Sequence, residues 1–142
     1  MQNKMIAYIR DCFKDIIAEY SLSVKVNKSM KRLFTLDLEN ENDALYICYS
    51  THPHDYPWSF DVRYCKQKFF DKTFVLYKTD TNEIVSLWRF DKQLDTTITG
   101  SFEKDMPIIS ECCKRASDMF IHFQRMSDDE YAIAAKKLKC AL

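Results

Sequence analysis

The sequence predicts an α+β domain in which an N-terminal helix and two C-terminal helices pack on an antiparallel sheet of about five to six strands. Apolar residues recur at helical spacing near both ends of the chain and at every second position in its middle. The middle segments are separated by short polar turns with no helical stretch between them, which favours a meander of sequential strands. The chain has 142 residues, of which 46% are hydrophobic and 30% charged, enough for one core, so we expect residues 1–142 to form a single domain.

The first element predicted is an amphipathic helix over residues 3–20. Its apolar positions follow the three- and four-residue steps of one helix face, while charged residues occupy the opposite face. The apolar residues are Ile6, Ile9, Phe13, Ile16, Ile17 and Tyr20. We expect Ile9, Phe13 and Ile16 to be buried against the sheet.

Four strands are then predicted from period-two alternation. The alternating apolar residues lie in segments 22–26, 34–38 and 58–64, whereas segment 44–49 is apolar at nearly every position and is expected to be central. The polar cluster 39–43 separates the second and third strands and is expected to be a solvated turn.

The remaining elements are a hairpin and two helices. Segments 73–77 and 83–90 flank a turn-forming tetrad at 79–82, which predicts the last pair of strands. Pro107 suits a first helical turn and predicts a long helix to residue 126. The run Ser127, Asp128, Asp129, Glu130 predicts a capping box that starts the final helix.

Composition excludes several classes of function. Gly100 is the single glycine of the chain, so a P-loop or a dinucleotide-binding fingerprint cannot be formed, and we expect no cofactor. Lys plus Arg and Asp plus Glu both number 21, so no net charge attracts nucleic acid or an anionic membrane. The apolar runs are also too short to span a bilayer.

The cysteines are expected to be reduced thiols of a cytoplasmic protein. They replace apolar residues in periodic runs, and none forms the Cys-x-x-Cys pair typical of zinc and redox sites. The six are Cys12, Cys48, Cys65, Cys112, Cys113 and Cys140.

The loop 50–58 is the segment that most resembles a functional site, and three interpretations stay open. His52, His54 and Asp55 have the spacing with which an extended segment can ligate a transition metal. The same side chains can instead make local hydrogen bonds in a turn fixed by prolines. They can also contact a partner. Trp58 is in phase with the buried positions of the next strand and is expected to anchor the loop. The side chains expected to face outward are then His52, His54, Asp55 and Tyr56.

A second candidate contact surface is the acidic turn formed by Glu39, Glu41 and Asp43. The chain is also rich in aromatic residues, which form either the plain core or a ligand pocket beneath a helix. Those on predicted strands are Trp58, Phe60, Tyr64, Phe74, Tyr77, Trp88 and Phe90.

No segment carries a catalytic signature, so the sequence favours a non-enzymatic domain that binds another protein. The most concrete form of this hypothesis is a bacterial immunity protein that neutralises a partner toxin, an analogy at the level of protein class. One alternative is a small-ligand-binding protein with an aromatic pocket between sheet and helices. The other is a metal-dependent hydrolase that uses His52, His54 and Asp55.

Overall fold

The computed structural model describes residues 2–69 and 83–140. Within them, five antiparallel strands form one sheet in the order β1-β2-β3-β4-β5, which confirms the predicted fold class. The strands are β1 (Ser23–Met30), β2 (Leu33–Glu39), β3 (Asp43–Ser50), β4 (Asp61–Lys66) and β5 (Val85–Ser86). The helices are α1 (Gln2–Cys12), α2 (Lys14–Glu19), α3 (Leu87–Phe90), α4 (Phe102–Gln124) and α5 (Asp128–Cys140).

The two faces of the sheet differ in polarity because side chains alternate along each strand. On the inner face, Leu36 lies opposite Ile47, which lies opposite Val62, and all three belong to the core shared with the helices. The outer face carries the intervening positions, where Asp37, Tyr46 and Arg63 form a row. The strand periodicity of the sequence therefore assigns the core face correctly.

The N-terminal helix is interrupted at Phe13, where the sequence predicted continuous helix. The Phe13 N–H is shared between the carbonyls of Ile9 and Arg10, each at 3.2 Å, so the helix ends and α2 begins one residue later. Ile9, Phe13 and Ile16 are all buried in the core, as expected from their spacing.

The C-terminal helices differ from prediction at one boundary. Helix α4 begins at Phe102 rather than near Pro107, which lies inside the helix. The carboxylate of buried Asp105 accepts hydrogen bonds from the backbone N–H groups of Thr99 at 2.8 Å and Gly100 at 2.9 Å. This interaction fixes the chain just before the helix and allows it to start early.

The capping box of α5 is present as predicted. The Ser127 N–H donates to Glu130 Oε1 at 3.0 Å, and the Glu130 N–H donates to Ser127 Oγ at 3.1 Å. These reciprocal bonds satisfy N–H groups that the first turn of a helix leaves without partners.

The predicted hairpin is described only in its second half, where the strand is shorter than predicted. The strand expected over 83–90 contains only β5, after which the chain turns into α3, whose end is marked by the Asp91 N–H donating to the Leu87 carbonyl at 2.9 Å. The predicted strand 73–77 and turn 79–82 lie outside the described residues.

The strand predicted from Trp58 begins only at Asp61, because the preceding residues bond to a different segment. The Phe60 N–H donates to the Thr96 carbonyl at 2.7 Å, and the Ile98 N–H donates to the Trp58 carbonyl at 3.2 Å. These bonds tie the loop after β3 to the connection between α3 and α4.

The helices of the described residues include none with both the length and the apolar character needed to cross a membrane.

Candidate functional site

The two surfaces that the sequence singled out lie at opposite ends of the sheet. Strand β3 connects the acidic turn, whose last residue Asp43 begins the strand, to the loop that follows Ser50. Its eight residues span about 25 Å at roughly 3.3 Å per residue. The turn between β1 and β2 lies at the same end as the loop after β3, because the strands alternate in direction.

The loop after β3 is organised by hydrogen bonds to His52 and Ser50. The indole Nε1 of Trp58 donates to the His52 carbonyl at 2.8 Å, and the His54 N–H donates to His52 Nδ1 at 3.2 Å. Ser50 Oγ donates to Asp55 Oδ2 at 3.1 Å. A single turn of 3₁₀ helix, Pro53–Asp55, and a cis Tyr56–Pro57 peptide complete the loop. Trp58 is half-buried and packs against the core, as its phase with Phe60 and Val62 predicts.

The histidine pair makes local contacts. The rings of His52 and His54 are stacked with centroids 5.0 Å apart, and Nδ1 of His52 already accepts a backbone hydrogen bond. The third histidine, His122 on α4, packs against Phe90 of α3 and Phe123. Among residues 2–69 and 83–140, no group of three or more His, Cys, Asp or Glu side chains is placed to hold a metal ion.

Large hydrophobic side chains are exposed around this loop. Four such residues are exposed in the described part of the chain, and three of them belong to the loop or to grooves that border it. Tyr56 is 73% exposed on the loop itself, with its ring edge-on to Trp58. Met30, 56% exposed, borders a groove of about 330 Å³ with His52 and Asp55. We call Met30, Asp55, Tyr56 and the exposed Trp88 the loop surface.

Trp88 and Asp55 also line a cleft on the outer face of the sheet that is larger than this groove. This cleft has a volume of about 520 Å³. Its floor is formed by Cys48, Asp61 and Arg63, which project from β3 and β4. Arg63 Nη2 contacts Asp61 Oδ2 at 2.6 Å, so the floor contains an ion pair.

Burial sets the protonation of the groups on the cleft floor. Desolvation raises the pKa of the Cys48 thiol to about 11, so this thiol is protonated at neutral pH and is a poor nucleophile. Desolvation also raises the pKa of Asp61, although the guanidinium of Arg63 opposes the shift.

The acidic turn contains a residue that is not solvated. Glu41 is exposed and Glu39 is half-buried, but Asp43 is buried. The hydroxyl of Tyr64 donates to Asp43 Oδ1, and Lys66 Nζ lies 3.4 Å from the same oxygen.

Asp43 is buried because it follows the inner-face phase of β3. It is in step with Leu45 and lies opposite Lys66, whose ammonium also donates to the carbonyl of Gln124 at 3.2 Å. The expectation of a solvated Asp43 was therefore wrong. Asp43 is thus linked to the end of α4 through Lys66, and Glu39 and Glu41 remain as the surface of the turn.

The aromatic residues divide between core and cleft. Tyr64 is buried and stacks on Phe123 at 5.4 Å, with Phe120 and Tyr131 edge-on to it. Trp88 lines the outer cleft, and half-buried Trp58 contacts both the core and this cleft. Phe74 and Tyr77 fall outside the described residues. Sequence reasoning missed the cleft, although Asp61 and Arg63 were visible as the polar positions of an alternating strand.

Comparison of the chain with protein-family models, with curated proteins and with solved structures gives no match.

Proposed function

We propose that this chain is a non-enzymatic, cytoplasmic protein-binding domain whose contact region is the loop surface. The observation that carries the proposal is the 73% exposure of Tyr56 on a loop whose backbone is held by hydrogen bonds. An immunity protein that neutralises a toxin is the most concrete form of this function.

The composition of the loop surface supports binding to a protein. Tyrosine, tryptophan and methionine are enriched at interfaces, and tyrosine and tryptophan are frequent among the residues that dominate binding energy. Tyr56, Trp88 and Met30 place these types around one loop. Because these side chains are exposed to water, a partner that covers them gains the free energy of burying their apolar surface.

The organisation of the loop lowers the cost of association. The bonds from Trp58 and His54 to His52 already restrict the backbone, so little conformational entropy is lost when a partner orders the loop further. Nucleophilic catalysis at this loop is not supported. His52 Nδ1 accepts a backbone hydrogen bond, and the Cys48 thiol is protonated at neutral pH because its pKa is about 11.

The proposal is tested by finding the partner and then measuring its affinity. A photo-crosslinking amino acid is placed at position 56 and, as a control, at position 133, where exposed Ile133 lies on α5. A partner of the loop surface is captured from position 56 and not from position 133.

With the purified partner, the double variant His54→Ala, Tyr56→Ala should weaken binding by about 1 to 3 kcal/mol. Its melting temperature should stay within about 2 °C of the native value, because both side chains are exposed. Glu41→Gln at the opposite end of the sheet is the matched control. Loss of affinity in Glu41→Gln with none in the double variant would place the contact region at the acidic turn.

A further inference from the structure

Helices α1 and α4 pack side by side and run in the same direction. Lys4 Nζ lies 4.7 Å from the centroid of the Phe102 ring. One turn further along both helices, the Tyr8 hydroxyl donates to the Met106 carbonyl at 3.3 Å. Since residues four positions apart share a helix face, the next residue of α1 in this series is Cys12, the last residue of the helix.

Cys113 is the residue of α4 that Cys12 meets. It lies seven positions after Met106, a step that returns to the same face of a helix. The two thiols share a hydrogen bond, so their sulfur atoms are in contact across the helix interface. The neighbouring Cys112 instead donates to the Asp95 carbonyl at 3.5 Å. Contact between the sulfur atoms of Cys12 and Cys113 is the starting geometry that a disulfide requires.

The two thiols, which we call the Cys12–Cys113 pair, differ in their access to solvent. Cys12 is half-buried and Cys113 is fully buried. The hydrogen bond with Cys113 lowers the pKa of Cys12 to about 7, whereas desolvation raises the pKa of Cys113 well above its ordinary value. At neutral pH the accessible sulfur is therefore partly thiolate, and a protonated thiol lies beside it. An accessible thiolate next to a second thiol is the arrangement that peroxides oxidise reversibly.

We propose that the Cys12–Cys113 pair is a redox modification site, at which a hydroperoxide oxidises Cys12 and Cys113 then closes a reversible disulfide. The bond links α1 covalently to α4. Without an oxidant both cysteines are free thiols, as they are in the structure, and exchange with a small thiol such as glutathione restores this state. The site does not depend on a partner protein and goes beyond the protein-binding function.

The reaction has two steps when hydrogen peroxide is the oxidant. The Cys12 thiolate attacks one peroxide oxygen, the O–O bond breaks, and the hydroxide that leaves takes a proton from the solvent to become water. Cys12 is then a sulfenic acid. The Cys113 sulfur attacks the Cys12 sulfur, the S–O bond breaks, and the Cys113 proton leaves with the hydroxide as a second water. The two cysteines are thereby oxidised to a disulfide, and the peroxide is reduced to water.

The test uses the full chain carrying Cys140→Ser, which removes the exposed cysteine that would otherwise link two molecules. The protein is treated with hydrogen peroxide at pH 7, the remaining thiols are alkylated after denaturation, and unreduced peptides are analysed by mass spectrometry. We expect the Cys12 and Cys113 peptides to be joined, about 2 Da below their summed mass, and to be separated by dithiothreitol. The rate of Cys12 oxidation should rise about tenfold between pH 6 and pH 8, because it follows the thiolate population.

Matched variants assign the link, because Cys112 and Cys113 are adjacent in one peptide. Cys112→Ala should keep the disulfide, whereas Cys113→Ala should leave Cys12 as a sulfenic acid that dimedone traps. At pH 9, where Cys12 is mostly thiolate in both variants, trapping should be at least about fivefold greater in Cys113→Ala. Circular dichroism of each variant confirms folding.

A link that survives in Cys113→Ala and disappears in Cys112→Ala would assign the bond to another pair and overturn the proposal. Oxidation of Cys12 to sulfinic acid in the Cys140→Ser protein, with Cys113 still open to alkylation, would overturn it as well. Neither result involves a partner, so the loop surface is tested separately by the crosslink at position 56.

Discussion

At the scale of single residues, Cys12 has an environment unlike that of the buried cysteines. A hydrogen bond with Cys113 favours its thiolate, as does a second with Tyr8, and together they outweigh burial and lower its pKa to about 7. Burial instead raises the pKa of Cys48 to about 11 and that of Cys112 to about 12. All six cysteines are free thiols in the structure, so their reactivities can be compared directly.

Cys12 should therefore be alkylated with a pH midpoint near 7. At neutral pH about half of its population is thiolate, against roughly one part in ten thousand for a thiol with the pKa of Cys48. The measurement is iodoacetamide labelling of the native protein between pH 5.5 and 9, followed by peptide mass spectrometry.

Cys113→Ala is the matched variant, because it removes the thiol that stabilises the Cys12 thiolate. The midpoint of Cys12 labelling should then move upward. A midpoint near the ordinary cysteine value of about 8.5 in the native protein would show that the hydrogen bond does not form in solution.

The ion pair of Asp43 and Lys66 shows how far residue-level prediction extends. Both positions keep the inner-face phase of their strands, so their burial could have been read from the period of two. The polar residues around Asp43 suggested a solvated turn instead. The burial of the Asp43 and Lys66 side chains is explained only by the tertiary structure, in which Lys66 also donates to the Gln124 carbonyl.

At the scale of elements, the N-terminal helices are held to the core by one face. Phe13 lies at the junction of α1 and α2 and is fully buried. Phe13→Ala should lower the free energy of unfolding by about 3 to 5 kcal/mol, through lost transfer energy and the cavity left behind. Urea denaturation measures the change.

The control is Lys14→Ala, the next residue, whose side chain is exposed and 4.0 Å from Asp11. It should change the free energy of unfolding by less than about 0.5 kcal/mol. If Phe13→Ala lowers the free energy of unfolding by less than about 1 kcal/mol, the apolar face of α1 and α2 is not packed against the core.

The start of α4 depends on Asp105, a buried carboxylate with four donors. Thr99 provides two through its N–H and hydroxyl, Gly100 provides its N–H, and the Tyr49 hydroxyl donates at 2.9 Å. Asp105→Ala leaves these donors without an acceptor and should destabilise the protein by about 3 kcal/mol or more. Thermal and urea unfolding give the value.

Tyr49→Phe is the graded comparison, because it removes one donor and keeps the ring packed against Phe34. This substitution should lower the free energy of unfolding by about 1 kcal/mol. Equal losses in Tyr49→Phe and Asp105→Ala would indicate that the bonds to Thr99 and Gly100 add nothing.

At the scale of the whole molecule, the core makes stability sensitive to alkaline pH. Burial raises the pKa values of Tyr46, Tyr49, Tyr64 and Tyr131 above the ordinary tyrosine range. The unfolded chain ionises its tyrosines near pH 10, whereas the folded chain keeps these four protonated. Above that pH the folded state binds more protons, so stability falls as pH rises.

Each of these tyrosines should lower the free energy of unfolding by about 1.4 kcal/mol per pH unit above 10. Four together account for roughly 5 kcal/mol per unit, so a domain of ordinary stability should unfold between about pH 11 and 13. Tyrosinate absorbance at 295 nm and far-ultraviolet circular dichroism are recorded in one titration.

The four buried tyrosines should ionise only together with the loss of circular dichroism, because their ionisation requires unfolding. Ionisation of all tyrosines near pH 10 with the helical signal intact would contradict the packing of this core.

The fold class, the inner face of the sheet, the buried face of the first helix and the capping box of α5 were determined by the sequence. Each depends on residues a few positions apart, and local periodicity encodes which side chains share a face.

Only the tertiary structure decided where β4 and α4 begin and which polar groups line the cleft on the outer face of the sheet. The first boundary depends on Thr96 bonding to Phe60, and the second on Asp105 meeting Thr99, Gly100 and Tyr49. The cleft likewise brings Asp55 and Trp88 together across the outer face of β3 and β4. These pairs are separated along the chain, and a local pattern cannot specify them because their free energy is gained only after the sheet and helices have packed.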